Sequence, residues 1–211
     1  MDARETKDRL LLAVLPDVPF DGWSAGGLRH AARALALGEA QAIDLFPRGG
    51  TDLVAWFSDW ADREMLAGIG GPDFAGMPVR QKVAAAIAAR LAILTPYREA
   101  VRRAASFLVL PHHAPLGMRL LYNTVDAIWY AAGDTATDFN FYSKRALLAA
   151  VYGATLLYWL DDASPENADT DAFLARRLAG VMALPRFGGR LAAIADRLPS
   201  PLRFLRAAQR R

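Results

Sequence analysis

From Ala146 to Leu160 the chain runs fifteen residues, ALLAAVYGATLLYWL, without a single charge. Apolar side chains fall on every side of a helix with that sequence rather than along one stripe, so protein, or something equally apolar, must surround it. At about 1.5 Å per residue the run covers roughly 22 Å, short of the ~30 Å hydrocarbon core of a bilayer, which argues against a membrane span. A polar head, DTATDFNFYSKR at 134–145, leads into it. Thr135 and Thr137 are N-cap candidates there, and Asp138 falls in the first turn, where a carboxylate suits the positive end of the helix dipole. Nothing breaks the pattern before Asp161.

Around that helix the periodicity is helical almost throughout, and strict alternation is absent, which predicts an all-α protein. Expected are a helix from Thr6 to Val18 closed by Pro16 and Pro19, a second capped by Ser24 with Leu28, Ala31, Ala32 and Leu35 inward, and a turn at Gly38. A short helix from Glu39 to Phe46 follows. Thr51 is the expected cap of a fourth, whose Leu53, Trp56, Phe57 and Trp60 share one face. Those elements form a helix-turn-helix head, residues 1–70. The Gly- and Pro-rich GIGGPDFAGMP at 68–78 separates it from a helical lobe, 71–197, that begins with Pro78 at a helix start. Val79, Val83, Ile87, Leu91 and Leu94 line one face of that helix, and Pro96 ends it. Further helices are expected over 97–110, 116–132 and 170–184, with PHHAP at 111–115 as a break.

With 211 residues, 54% hydrophobic and 22% charged, the chain has the composition of a folded domain. It contains no cysteine, which closes disulfide and thiolate chemistry. The mixed charges of MDARETKDR lack the order of a signal peptide, so the expected location is cytoplasmic. The net charge of +3 conceals a basic end: residues 176–211 hold nine arginines against Asp196 alone. If 198–211 is helical, Leu198, Leu202 and Leu205 gather beside Arg203, Arg206 and Arg210. Such a tail can lie on an anionic membrane surface or remain a solvated basic end.

Catalytic signatures are sparse. None of the five glutamates has a histidine three residues on, so the Glu-x-x-His pair of di-iron bundles is absent. There is no nucleophile elbow, no phosphate-binding loop and no complete dinucleotide fingerprint. The adjacent His112 and His113 read as a polar loop rather than metal ligands, and no cofactor is expected. DNA binding is disfavoured too, since the helix EAQAIDLF offers Glu39 and Asp44 but no cation, while phosphate contacts need cations or aimed amide donors.

By their residues alone, Ile128, Trp129, Leu148, Val151, Tyr152, Leu156 and Trp159 can be packed core or the lining of an apolar cavity, with Tyr152, Tyr158 and Trp159 as polar handles. Asp138, Phe141, Tyr142 and Arg145 share one helical face, either an interface or a face packed within the protein.

The stretch TDFNFYSKRALLAAVYGATLLYWL, with AIWYAAGD before it and FLARRL after it, resembles the coenzyme Q biosynthesis accessory lipid-binding proteins. The resemblance implies a fold like tetracycline-repressor-type regulators, a homodimer, an internal site for an isoprenoid quinone intermediate or phospholipid, and service to the di-iron demethoxyubiquinone hydroxylase. It implies a lipid cavity lined by the seven residues from Ile128 to Trp159. It also assigns hydroxylase docking to Asp138, Phe141, Tyr142 and Arg145, with tryptophan usual where this chain has Phe141. The 198–211 tail becomes the membrane-binding helix, although Pro199 and Pro201 shorten it. The competing expectation is a lipid-responsive transcriptional regulator of the same fold.

Overall fold

Eleven α-helices follow one another in the computed structural model, which describes residues 2–133 and 139–183, the side chains of 139–143 and 181–183 excepted. They are α1 (Ala3–Val14), α2 (Val18–Asp21), α3 (Ala25–Ala34), α4 (Glu39–Leu45), α5 (Gly50–Gly68), α6 (Gly71–Gly76), α7 (Val79–Leu94), α8 (Arg98–Val109), α9 (Ala114–Ala131), α10 (Phe139–Asp161) and α11 (Ala168–Ala183). Among the described residues there is no strand.

Local chemistry explains most boundaries and corrects several expected ones. The first helix starts three residues early because Asp2 caps it, accepting from Arg4 N. It stops at Val14, and a separate short α2 follows Pro16, with Pro19 in its first turn. Ser24 caps α3 as expected, accepting from Gly27 N at 3.1 Å. The turn after α3 is made by Ala36, at φ 53, while Gly38 has an ordinary φ of −64 and serves as the N-cap of α4. Thr51 is not a cap but sits inside α5, whose N-cap is Gly49 at φ 54. Gly50 must be glycine for another reason: a Cβ there would lie 2.1 Å from the Trp23 carbonyl oxygen. The glycine-rich 68–78 stretch contains the six-residue α6.

The spine of the molecule is α5. It packs against α1, where Trp56 Nε1 and Arg63 both donate to the Asp8 carboxylate. It also packs on α7 and α9. Trp23 crosses from the head to donate to the Ala100 carbonyl of α8 and meets Phe57 at 5.3 Å between ring centroids. One continuous cluster of buried residues therefore runs from Leu10 on α1 to Leu178 on α11. Each fully buried leucine or isoleucine in it contributes on the order of 1.5–3 kcal/mol by leaving water. Around α10, the helices α7, α8, α9 and α11 supply the neighbours that its uncharged run requires.

Candidate functional site

The first cavity, about 440 Å³, opens between α5, α7, α8, α9 and α10. That is within the range of small-molecule sites. Its walls are apolar: Phe57, Leu94, Val101, Leu108, Leu120, Leu121 and Leu156 face it. Small residues keep it hollow. Ala104, Ala105 and Gly153 leave room where larger side chains would meet, and a Cβ built on Gly153 finds no atom within 4 Å. Gly117 acts the other way, letting α9 approach α8 so closely that a Cβ would sit 3.3 Å from that of Leu108. Val109, Met118 and Leu157 also line the cavity but are 79%, 74% and 61% exposed, which marks them as its rim.

At the inner end the lining turns polar through Ser58, Arg90, Thr124 and Tyr152. Arg90 is buried, and its Nε donates to Asp62 Oδ1 at 2.7 Å. The Thr124 hydroxyl lies 3.0 Å from both Asp62 oxygens. Arg90 Nη1 donates to the Tyr152 hydroxyl, and Nη2 reaches the Oγ and carbonyl of Ser58 at 3.3 and 3.4 Å. Burial pushes the Asp62 carboxyl above its ordinary range, opposed by Arg90 and Thr124. Burial also raises the Tyr152 phenol, so it stays protonated at neutral pH; Arg90 opposes this and Asp62 reinforces it. The phenol oxygen thus accepts from Arg90 while its own proton has no acceptor among the described residues.

A second cavity, about 320 Å³, lies on the opposite side of α10, bounded by Val79, Arg80 and Val83 of α7, Trp129 of α9, Lys144, Leu147, Leu148 and Val151 of α10, and Leu178 of α11. Trp129 Nε1 is buried without an acceptor among the described residues, and Lys144 Nζ lies 5.7 Å from the Trp129 ring centroid.

The seven residues read from the sequence as one lining are divided by this arrangement. Tyr152 and Leu156 face the first cavity; Trp129, Leu148 and Val151 face the second. Ile128 and Trp159 line neither, both being 0% exposed, and Trp159 is covered by the Arg98 guanidinium 4.6 Å above its ring. Tyr158 points outward and stacks on Phe173. Arg145 is buried, with Nε and Nη2 each 2.7 Å from Asp126 Oδ1 on α9. Asp138, the side chains of Phe141 and Tyr142, and the whole 198–211 tail with Leu198, Leu202, Arg203, Leu205, Arg206 and Arg210 lie outside the described residues.

Sequence reading missed Asp62, Ser58, Arg90 and Thr124. A signal existed for Arg90: the buried face of α7 runs Val83, Ile87, Arg90, Leu94, so a cation occupies a position that periodicity assigns to the core.

Residues 114–185, which hold α9, α10 and α11, match the COQ9 family model. The human mitochondrial ubiquinone biosynthesis protein COQ9 is 35% identical over 187 residues, covering 84% of this chain. Over these spans the chain is similar to the COQ9 family. Its Drosophila melanogaster relative of the same description is 31% identical over 84% of this chain. A probable mitochondrial coq9 of Dictyostelium discoideum is 27% identical over 87%. The chain spans 58% of the human COQ9 length and 57% of the fly one. Among solved structures, a TetR transcriptional regulator from Nitrosomonas europaea superposes with a TM-score of 0.70 at 20% identity, over 85% of this chain and 99% of that one. The fold is therefore TetR-like, as the COQ9 resemblance implied. The segment matched to COQ9 contributes walls to both cavities.

Proposed function

We propose that this chain is a non-catalytic accessory protein of ubiquinone biosynthesis that shelters an isoprenoid quinone intermediate in the first cavity and delivers it to the di-iron demethoxyubiquinone hydroxylase at a membrane surface. The carrying observation is a hollow apolar chamber, kept open by Gly153 and small alanines, beside α10 in the segment that matches the COQ9 family model. A polyprenyl tail is costly to expose to water, so a protein that takes it from a bilayer must offer apolar walls in exchange. A phospholipid chain is the alternative guest with the same requirement. Relatives named for ubiquinone biosynthesis support the pathway.

In this reading the chain is a homodimer and a peripheral protein on the cytoplasmic face of its membrane, held there by the basic 198–211 tail. Asp138, Phe141 and Tyr142 meet the hydroxylase. No helix among the described residues is long and apolar enough to cross a membrane. The regulator reading draws on the TetR-like fold but receives no support from the head. On α4 the exposed side chains are Glu39, Ala40, Gln41, Ile43 and Asp44, none of them a cation able to meet phosphate.

Organic extraction of the purified protein followed by mass spectrometry tests the proposal. A prenylated quinone or quinone precursor at near one per chain is the expected result. Protein that carries no lipid, and takes none from vesicles containing a prenylated quinone, would reject it.

A further inference from the structure

Resting on the lipid-carrier reading, we propose that the Asp62–Arg90–Tyr152 cluster is the head-group end of the first cavity. It holds a neutral, carbonyl-bearing ring innermost through the Tyr152 hydroxyl and turns away anionic heads.

Three observations carry this. The rim of the cavity is apolar and exposed at Val109, Met118 and Leu157, whereas in its polar lining Arg90, Tyr152 and Thr124 are only 4%, 3% and 1% exposed and Ser58 is half-buried. A guest with one polar end and one apolar tail matches that gradient only with its polar end inward. The second observation is the free proton. Tyr152 spends its oxygen on Arg90 and keeps its O–H for an acceptor inside the cavity, a role a carbonyl fills at hydrogen-bond distance. The third is charge balance. Asp62 already lies 2.7 Å from Arg90, so the formal charges of the pair cancel. A phosphate or carboxylate arriving there would be desolvated with no unspent cation among the described lining residues to meet it, while a neutral carbonyl carries no such penalty.

Orientation has a consequence for delivery. A cavity of about 440 Å³ takes a ring and the first part of its tail, leaving the rest of a long tail at the rim. The carried ring is thus kept from solvent, and handover begins with its release from Tyr152.

The test measures binding of three probes to the full chain: a benzoquinone with a short prenyl tail, a toluene bearing the same tail, and the phosphate monoester of that tail. The unaltered protein is expected to prefer the quinone over the toluene by about fivefold, the net value of one hydrogen bond, and to bind the phosphate most weakly. Tyr152→Phe should lower quinone affinity about fivefold and leave the toluene unchanged. As a check that needs no variant, a carbonyl-labelled quinone bound to the unaltered protein should show its C=O stretch at lower wavenumber than in hexane. Equal affinity for quinone and toluene with an unshifted carbonyl, or preference for the phosphate, overturns the inference and leaves the carrier reading standing. Uptake of none of the three probes overturns both.

Discussion

Neighbouring residues on α10, Val151 and Tyr152, face different chambers, and the chambers differ in kind. On the Tyr152 side an apolar room ends in a buried ion pair, where the Arg90 guanidinium donates to the Asp62 carboxylate and the Tyr152 phenol and the Thr124 hydroxyl bonds to Asp62. Across the helix, the room has a Trp129 N–H unmatched among the described residues and two cations, Arg80 and Lys144, in its lining. The contrast shows that an uncharged helix is not in itself one pocket. Each of its faces takes its character from the helix packed against it.

The largest expected effect falls on the Tyr152 side. Arg90→Ala strands the Asp62 carboxylate in the core and should cost about 3–5 kcal/mol in urea unfolding. Replacing Asp62 and Arg90 together by leucine should recover most of that loss. A cost below about 1 kcal/mol for Arg90→Ala would mean the pair is not buried as described, and the contrast between the chambers would collapse.

Leu148→Ala enlarges the other chamber and is expected to cost about 3 kcal/mol, the usual range for a buried leucine, without changing the lipid recovered by extraction. Loss of lipid in that variant would place the guest on the Leu148 side instead.

Gly153→Leu sharpens the comparison from the opposite direction. Glycine inside a helix costs about 1 kcal/mol, and the Cβ meets open space, so the melting temperature should hold or rise. The leucine side chain then occupies the first cavity, and bound lipid should fall in the same preparation. Undiminished lipid would show that the guest does not pass Gly153.

The smallest effect is a pH dependence at Asp162, which lines neither chamber and lies between α10 and α11. Asp162 accepts from Ser164 N, Thr170 N and the Thr170 hydroxyl, and these bonds hold its carboxyl well below the usual carboxylate range. A group with a depressed folded-state value adds stability above its unfolded value of about 4 and loses it as pH falls further. Asp162→Asn should therefore lose stability at pH 6 and show a flatter decline between pH 4 and pH 2, read by thermal melting. Parallel curves for the two proteins would remove Asp162 from the account.

Much of the fold was legible because each helix carries its own signals. Ser24 capped α3, Pro78 preceded α7, and the buried positions Val83, Ile87, Leu91 and Leu94 followed the helical period. The misreadings were local rivalries: Asp2 capped α1 ahead of the expected start, and Ala36 rather than Gly38 took the left-handed turn. The site was less legible. Tyr152 and Leu156 were found because they lie in the unusual run, but Asp62, Ser58 and Thr124 come from helices whose sequences read as ordinary. Arg145, grouped by spacing with a possible docking face, turned out to be buried against Asp126 of the neighbouring helix.

Periodicity and composition alone determined that this chain is helical, that α10 must be enclosed, and that the head offers no cationic reading helix. Whether the enclosure is filled or hollow was decided only by the tertiary structure. A void is the space left between side chains of five helices spread from Val54 to Leu157, and the pattern along any one helix contains no measure of its distance from the next.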